Sequence, residues 1–93
     1  MVSQKVKIIN PSGLHLRTAT FLSNSVLKYD ATLQFEYEKN DIKGIVNLKS
    51  ILNIVAAGIR QGQELTITSQ GKEEKEALAA AVAAIQSGLG EKL

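Results

Sequence analysis

The spacing of hydrophobic residues changes several times along the chain, and each change predicts a different element. Near the N-terminus, Val6 and Ile8 alternate with lysines, which predicts a short half-buried strand. From Leu16 to about Lys28, apolar residues recur every three to four positions, as in an amphipathic helix. Between Ala31 and Glu38 the alternation is strict, so a second strand follows with one buried and one solvated face.

A hairpin and a short helix are predicted next. Residues 39–41 form a polar turn, and alternation resumes after it. Ser50 then opens a short apolar helix over residues 51–57, and Gly58 closes it. The second strand of this hairpin, before Ser50, is predicted to contain Ile42, Gly44, Val46 and Leu48.

The last third of the chain supplies one more strand and one more helix. Leu65 and Ile67 alternate with polar residues, and a helix from Lys72 to Ser87 ends at Gly88. The order β-α-β-β-α-β-α, with right-handed crossovers and one buried sheet face, predicts an α+β open-faced β-sandwich. We expect a four-stranded antiparallel sheet covered on one face by three helices, in a single domain over residues 1–93. The apolar stripe predicted for the last helix consists of Leu78, Ala81, Val82 and Ile85.

Composition excludes several classes of function. The 93 residues are 44% hydrophobic and 22% charged, which is typical of a globular protein. There is no cysteine and only one histidine, so a thiol nucleophile, a disulfide or a zinc centre is not expected, and no cofactor is predicted. A net charge of +2 does not indicate nucleic acid, and no apolar run approaches the length of a membrane span. We expect a cytoplasmic protein without direct membrane binding.

One residue has a position suited to chemistry. His15 follows the turn at residues 10–13 and immediately precedes the first helix. The first N–H groups of a helix lack internal acceptors and carry partial positive charge, so they can hold an anion. Arg17, two residues later, has a guanidinium group suited to phosphate oxygens. The same helix end disfavours imidazolium and would keep a ring nitrogen free as a nucleophile. The simpler interpretation is a capping histidine and a solvated arginine.

Two segments resemble a known family. Residues 10–19, NPSGLHLRTA, resemble the active-site signature Gly-[Leu/Ile]-His-x-Arg-Pro-Ala of the HPr family, the phosphocarriers of the bacterial sugar phosphotransferase system. Residues 46–51, VNLKSI, resemble the segment around the regulatory serine in Gram-positive-type members. Chain length, element order and the separation of the two segments also match, so the resemblance covers essentially the whole chain.

The resemblance implies a phosphoryl relay rather than a free-standing catalyst. His15 would accept the phosphoryl group from enzyme I as a pros-phosphohistidine and pass it to A-type domains of sugar permeases, and Arg17 would assist the transfer. Ser50 would be the target of an HPr kinase/phosphorylase, with a catabolite-control transcription regulator as a further partner. Ser12, Leu16 and Thr18 would surround the phosphoryl group, although Thr18 stands where the family usually has proline. We expect a monomer.

A docking surface is predicted beside His15. Phe21 points away from the apolar face of the first helix, and the apolar run after Ser50 cannot all face inward on two turns. An apolar centre with a basic rim suits transient docking to acidic partners. Ser50 is explained structurally as an N-cap, and a phosphate there would add roughly two negative charges to this surface. The docking surface is predicted to comprise Arg17, Thr20, Phe21, Asn24, Lys28, Lys49, Ile51 and Leu52.

Three other interpretations stay open. A regulatory HPr paralogue would act through Ser50, although paralogues specialised in this way tend to lack the histidine that this chain keeps. An RNA-binding domain of the same topology would need exposed aromatic residues on central strands, for which only Phe35 and Tyr37 qualify. A metabolic enzyme is disfavoured, because no second general acid or base accompanies His15.

Overall fold

The computed structural model describes residues 1–93 and has the predicted order of elements. Positions 40 and 41 in the hairpin turn both have positive φ, as the tight turn between two antiparallel strands requires. The elements are β1 (Val2–Lys7), α1 (Leu16–Val26), β2 (Thr32–Lys39), β3 (Ile42–Asn47), α2 (Ile51–Ala56), β4 (Glu64–Gln70) and α3 (Glu74–Gln86).

The four strands form one antiparallel sheet in the order β1-β4-β2-β3. The last strand of the chain therefore lies between the first two, which is the split arrangement that the element order predicted. In this register Val6 faces Leu65 and Phe35 faces Ile67 across neighbouring strands. All four side chains are buried, so they form one continuous apolar face.

The three helices cover this apolar face and leave the other face of the sheet open. A single cluster of 22 buried apolar residues fills the space between the two layers. Its largest members, including Phe35, Leu22 and Ile54, are completely buried, and each such burial stabilises the fold by roughly 1.5–3 kcal/mol. The helices have 11, 6 and 13 residues, and none is long and apolar enough to cross a membrane. The predicted open-faced β-sandwich is confirmed.

The aromatic residues of β2 belong to the core. Phe35 is completely buried, and Tyr37 is half-buried with its ring directly over Gly44 of β3. A side chain at Gly44 would overlap that ring, so glycine is needed there for the tyrosine to lie flat across the neighbouring strand. The RNA-binding interpretation depended on these two aromatics being exposed, and the structure does not offer such a stacking surface.

Some sequence predictions at the ends of elements were wrong. The third strand begins at Ile42 as predicted but ends at Asn47, so Leu48 lies just beyond it. The third helix begins at Glu74 rather than Lys72. Leu78 is only partly buried, while Ala77 and Ala84 lie fully inside. Small side chains at these positions allow α3 to approach the sheet closely.

Candidate functional site

The loop that precedes α1 is fixed by hydrogen bonds that converge on the carbonyl of Gly13. The buried amide of Asn10 donates to this oxygen at 2.9 Å, and the Thr18 hydroxyl donates to it at 2.6 Å. Gly13 has a φ of +66°, and a Cβ there would lie only 2.5 Å from the carbonyl oxygen of Ile59. The Leu14 N–H donates to that same oxygen at 2.9 Å. Contacts with Asn10 and Thr18 on one side and with Ile59 on the other therefore fix the loop before the helix begins.

His15 is the N-cap residue of α1. Its backbone is extended, and its carbonyl accepts the first helical hydrogen bond from the Ala19 N–H at 2.7 Å. Its side chain is 40% exposed, but the ring is not uniformly accessible. The Nε2 atom is buried without a hydrogen-bond partner and lies 3.7 Å from the carboxylate of Glu91. The imidazole is thus held at the positive end of a helix with one edge covered.

Thr18 lies in the first turn of α1, as predicted, but its side chain turns inward. The residue is completely buried. Its hydroxyl donates to Gly13 and accepts the backbone N–H of His15 at 3.0 Å. The sequence analysis placed Thr18 around the phosphoryl group, but its hydroxyl is occupied by these two bonds. The side chain instead connects the helix to the loop that carries His15.

The C-terminal segment returns to the start of α1. After α3, three consecutive residues adopt left-handed backbone angles: Gly88 at φ +92°, Leu89 at +55° and Gly90 at +84°. Leu89 is buried in the core and anchors the turn. A Cβ at Gly90 would be 3.4 Å from the ring of Phe21, so the turn packs directly against α1.

This turn places the Glu91 carboxylate among the groups around His15. Oε1 accepts from the Asn10 side-chain amide at 2.7 Å and from the Ser12 backbone N–H at 3.1 Å. Oε2 accepts from Arg17 Nη2 at 3.2 Å. Hydrogen bonds, first from Asn10 and then from Ser12 and Arg17, lower the pKa of Glu91 from its ordinary 4.5 to about 2, against the opposing effect of burial. The carboxylate is therefore ionised at neutral pH.

Sequence reasoning missed both Asn10 and Glu91 as parts of the site. The sequence indicates only a turn at Asn10, whereas this residue is completely buried and donates to both Gly13 and Glu91. Glu91 is 74 residues from Arg17 in the chain, so no local periodicity connects the two. The available signal was the Gly-Leu-Gly sequence after the last helix, which favours a sharp reversal of the backbone.

The predicted outward face of α1 is exposed. Phe21 is 44% exposed, and Arg17 is 76% exposed although it is paired with Glu91. Thr20 is half-buried, and its hydroxyl donates to the Leu16 carbonyl at 2.6 Å. Leu16 itself is exposed beside the site and adds apolar surface there. The remaining predicted residues of this face, Asn24 and Lys28, are exposed as well.

The second helix contributes less to this surface than expected. α2 packs beside α1, as the docking hypothesis requires, and Leu52 is 79% exposed. Ile51, however, is partly buried against the core, so it is chiefly a packing residue. The Lys49 ammonium donates to the Tyr29 carbonyl at 2.8 Å and is not a free cation at the rim. Leu27, which the sequence analysis did not single out, is also exposed.

Ser50 is the N-cap of α2. Its hydroxyl oxygen accepts the Asn53 backbone N–H at 3.3 Å. The Asn53 side chain does not strengthen this cap, since it accepts the backbone N–H of Asn47 at 2.8 Å. Ser50 remains half-buried and close to the surface.

The chain belongs to a family of small phosphocarriers. It matches the family described as "PTS HPr component phosphorylation site" over residues 2–87, which is nearly the whole sequence. That family is HPr, the histidine phosphocarriers of the bacterial sugar phosphotransferase system. The resemblance of residues 10–19 to the HPr signature is thereby confirmed at the level of the family.

Solved structures of the same family are closely similar. HPr-C-His of Thermoanaerobacter tengcongensis shares 34% identity and superposes with a TM-score of 0.86, with 100% of each chain covered. The phosphocarrier protein HPr of Bacillus anthracis shares 30% identity with a TM-score of 0.82, over 91% of this chain and 96% of its own. The catabolite repression protein Crh of Bacillus subtilis, a domain-swapped dimer, shares 32% identity with a TM-score of 0.68, over 95% and 97%.

Proposed function

We propose that this chain accepts a phosphoryl group from enzyme I on Nδ1 of His15 and passes it to A-type domains of sugar permeases in the cytoplasm. The observation that carries the proposal is the position of the ring. His15 is partly exposed at the N-terminus of α1, with Nε2 buried towards Glu91. Because Nε2 is covered, we assign the role of phosphoryl acceptor to the other ring nitrogen, Nδ1.

The transfer itself is a simple displacement. The Nδ1 lone pair of His15 attacks phosphorus, the new P–N bond forms, and the bond between phosphorus and the donor group breaks, with its electron pair returning to the donor. Developing negative charge on the phosphoryl oxygens would be stabilised by the free N–H groups at the start of α1 and by the Arg17 guanidinium. Onward transfer is the same step with the chain as donor. The protein supplies position and charge, and no separate acid or base is required.

We propose Ser50 as a second, regulatory phosphorylation site. It lies at the start of a helix that packs beside α1, and its side chain is partly accessible. Phosphate on Ser50 would add negative charge to the surface that we propose for docking and would repel acidic partners. An HPr kinase/phosphorylase would add and remove it, and a catabolite-control transcription regulator would bind the phosphoserine form.

The regulatory paralogue is the second candidate. Crh is similar in sequence and fold to this chain, which is the observation that favours a regulatory paralogue. The two HPr proteins superpose on this chain with higher TM-scores than Crh does. Retention of both His15 and Arg17 supports the carrier. We also propose a monomer, since β1 is fully paired with β4 of its own chain. Size-exclusion chromatography with light scattering tests this, and a stable dimer would contradict it.

Labelling by enzyme I and radioactive phosphoenolpyruvate tests the carrier proposal. Wild type should acquire phosphate that is lost in acid, and His15→Ala should acquire none while keeping the same melting temperature. Arg17→Ala should be labelled, with transfer slowed by about tenfold or more, as expected when a donor to the developing charge is removed. Lys43→Ala, which removes one positive charge at an exposed position on β3, is the matched control and should transfer at the wild-type rate. Acid-labile phosphate on His15→Ala would refute the proposal.

A further inference from the structure

We infer that Asn10 is a positioning residue for phosphoryl transfer: its buried side chain closes the turn before His15 and thereby sets where the imidazole stands. The inference rests on the proposed function of His15 and deepens it. It makes Asn10 a determinant of the rate of transfer, although no partner protein can touch it.

Two hydrogen bonds that run in opposite directions join Asn10 and Gly13. The Gly13 N–H donates to the Asn10 carbonyl at 3.2 Å, and the Asn10 side-chain amide donates back to the Gly13 carbonyl at 2.9 Å. Both polar groups of the Gly13 backbone, which has left-handed geometry at φ +66°, are therefore bonded to the same residue. The turn over residues 10–13 is closed by backbone and side chain together, and only the side-chain bond depends on which residue stands at position 10.

The Gly13 carbonyl connects this turn to the backbone of His15. The oxygen that accepts from Asn10 also accepts the Thr18 hydroxyl at 2.6 Å. That hydroxyl in turn accepts the His15 N–H at 3.0 Å. Asn10 and Thr18 thus hold one carbonyl from the two sides of His15 in the sequence. Without the Asn10 bond the carbonyl keeps only Thr18, and the peptide groups that carry His15 gain freedom to move.

The burial of Asn10 decides which kinetic quantity it can affect. Its exposed fraction is 0%, so it cannot contact enzyme I or a permease domain. Any effect on transfer must then pass through the position of His15. Attack on phosphorus requires the reacting atoms to be about 3–3.5 Å apart and aligned, and a displacement of about 1 Å can cost about 100-fold in rate. The expected signature is a lower rate at saturating enzyme I with an unchanged affinity.

Single-turnover transfer from phosphorylated enzyme I separates the two quantities. For Asn10→Ala the rate constant at saturation should fall about tenfold or more, while the half-saturating concentration stays within about twofold of wild type. Asn10→Ser, with another residue common in turns, should show the same slowing and provides the measurement if the alanine variant does not fold. Val46→Ala, at a buried position of the edge strand β3, is the control for lost stability and should transfer at the wild-type rate.

Amide hydrogen exchange gives a second readout that needs no partner protein. In Asn10→Ala the His15 N–H should exchange about tenfold or more faster relative to the Phe35 N–H in the middle of the sheet, because only the turn has been loosened. A general loss of stability accelerates both amides. The ratio of the two rates should therefore rise in Asn10→Ala and stay at the wild-type value in Val46→Ala.

The Asn10 amide also donates to the Glu91 carboxylate at 2.7 Å, and this bond requires a separate control. In a chain that lacks residues 91–93 the bond is absent. Asn10→Ala should slow transfer in this shortened chain by the same factor as in the full chain. If the substitution has no effect in the shortened chain, Asn10 acts through Glu91 and the inference is overturned.

The remaining outcomes distinguish this inference from the proposed function. If wild type acquires no phosphate from enzyme I, the proposed function fails, and a role of Asn10 in transfer fails with it. If wild type is labelled but the folded Asn10 variants transfer at its rate, only the inference is overturned. Equal slowing by Val46→Ala, or a weaker affinity at an unchanged saturating rate, would overturn it as well.

Discussion

The Thr18 hydroxyl donates a hydrogen bond to the carbonyl oxygen of Gly13, five residues earlier in the chain, over 2.6 Å. The hydroxyl oxygen of Thr18 in turn accepts the backbone N–H of His15 at 3.0 Å. One buried side chain thus joins the loop before His15 to the first turn of the helix after it. HPr sequences usually have proline here, which fixes φ by covalent geometry. In this chain two hydrogen bonds restrain the same turn.

This relationship predicts the effect of replacing Thr18. Thr18→Val keeps the shape but leaves the His15 N–H and part of the Gly13 carbonyl without partners, so it should lower the free energy of unfolding by about 1–3 kcal/mol. Thr18→Ser keeps the hydroxyl and should cost less. Urea denaturation measures the difference, and a Thr18→Val protein as stable as wild type would mean that the hydroxyl bonds contribute nothing net.

Proline at position 18 gives a sharper test of the same site. From the sequence alone proline should be tolerated in a first helical turn, with a gain of about 0.4–1 kcal/mol from restricting the unfolded chain. The structure shows that Thr18→Pro also removes both hydroxyl bonds. We expect a net loss of stability, smaller than for Thr18→Val. A lower urea midpoint than that of Thr18→Val would show that proline does not fit this backbone.

The docking surface is tested at Leu52. Leu52→Ala should weaken binding of enzyme I by roughly 1–2 kcal/mol, the usual scale for an apolar interface residue, with an unchanged melting temperature. Ile45, 63% exposed on the open face of the sheet, supplies the matched control, and Ile45→Ala should not alter binding. Ile51→Ala should lower the melting temperature, because Ile51 packs on the core. If calorimetric titration with enzyme I gives equal affinities for Leu52→Ala and wild type, α2 does not contribute to the docking surface.

The regulatory proposal is tested at Ser50. Ser50→Asp should accept phosphate from enzyme I several-fold more slowly at low salt, because it adds negative charge to the proposed docking surface. Raising the salt concentration should narrow the difference, since exposed charges are screened over about 8–10 Å. Ser50→Asn caps a helix equally well without the charge and should behave as wild type. Equal rates for all three proteins in rapid-quench measurements would leave Ser50 as a cap only.

Glu91 makes a prediction about pH. Its pKa in the folded chain is about 2, below the ordinary 4.5, so the folded state binds the proton less readily than the unfolded state. The stabilisation from its ionised form is therefore complete above pH 4.5 and is lost as the pH falls towards 2. The stability difference between wild type and Glu91→Gln should be constant from pH 5 to 7 and shrink below 4.5. A difference that persists unchanged at pH 2 would show that the hydrogen bonds do not depend on ionisation.

The elements and the position of His15 at a helix start could be predicted from local pattern. Alternation in β2 and the helical spacing after Leu16 depend on neighbouring residues, so they predicted which side chains face the core. The positions of His15 before α1 and of Ser50 before α2 are likewise local, because a helix N-terminus is defined by the residues beside it. Only the resemblance to the HPr family suggested that these two residues are phosphorylated.

Only the tertiary structure decided what surrounds His15. Glu91 reaches Arg17 across 74 residues, through a reversal whose left-handed angles include a non-glycine residue, Leu89. Lys49 likewise donates to the carbonyl of Tyr29, so its charge does not lie free at the rim of the predicted docking surface. Such contacts depend on how α3 and the loops pack on the sheet, and hydrophobic periodicity carries no information about them. The sequence by itself determined that His15 lies at the start of α1, whereas the packing of distant segments decided which charges surround it.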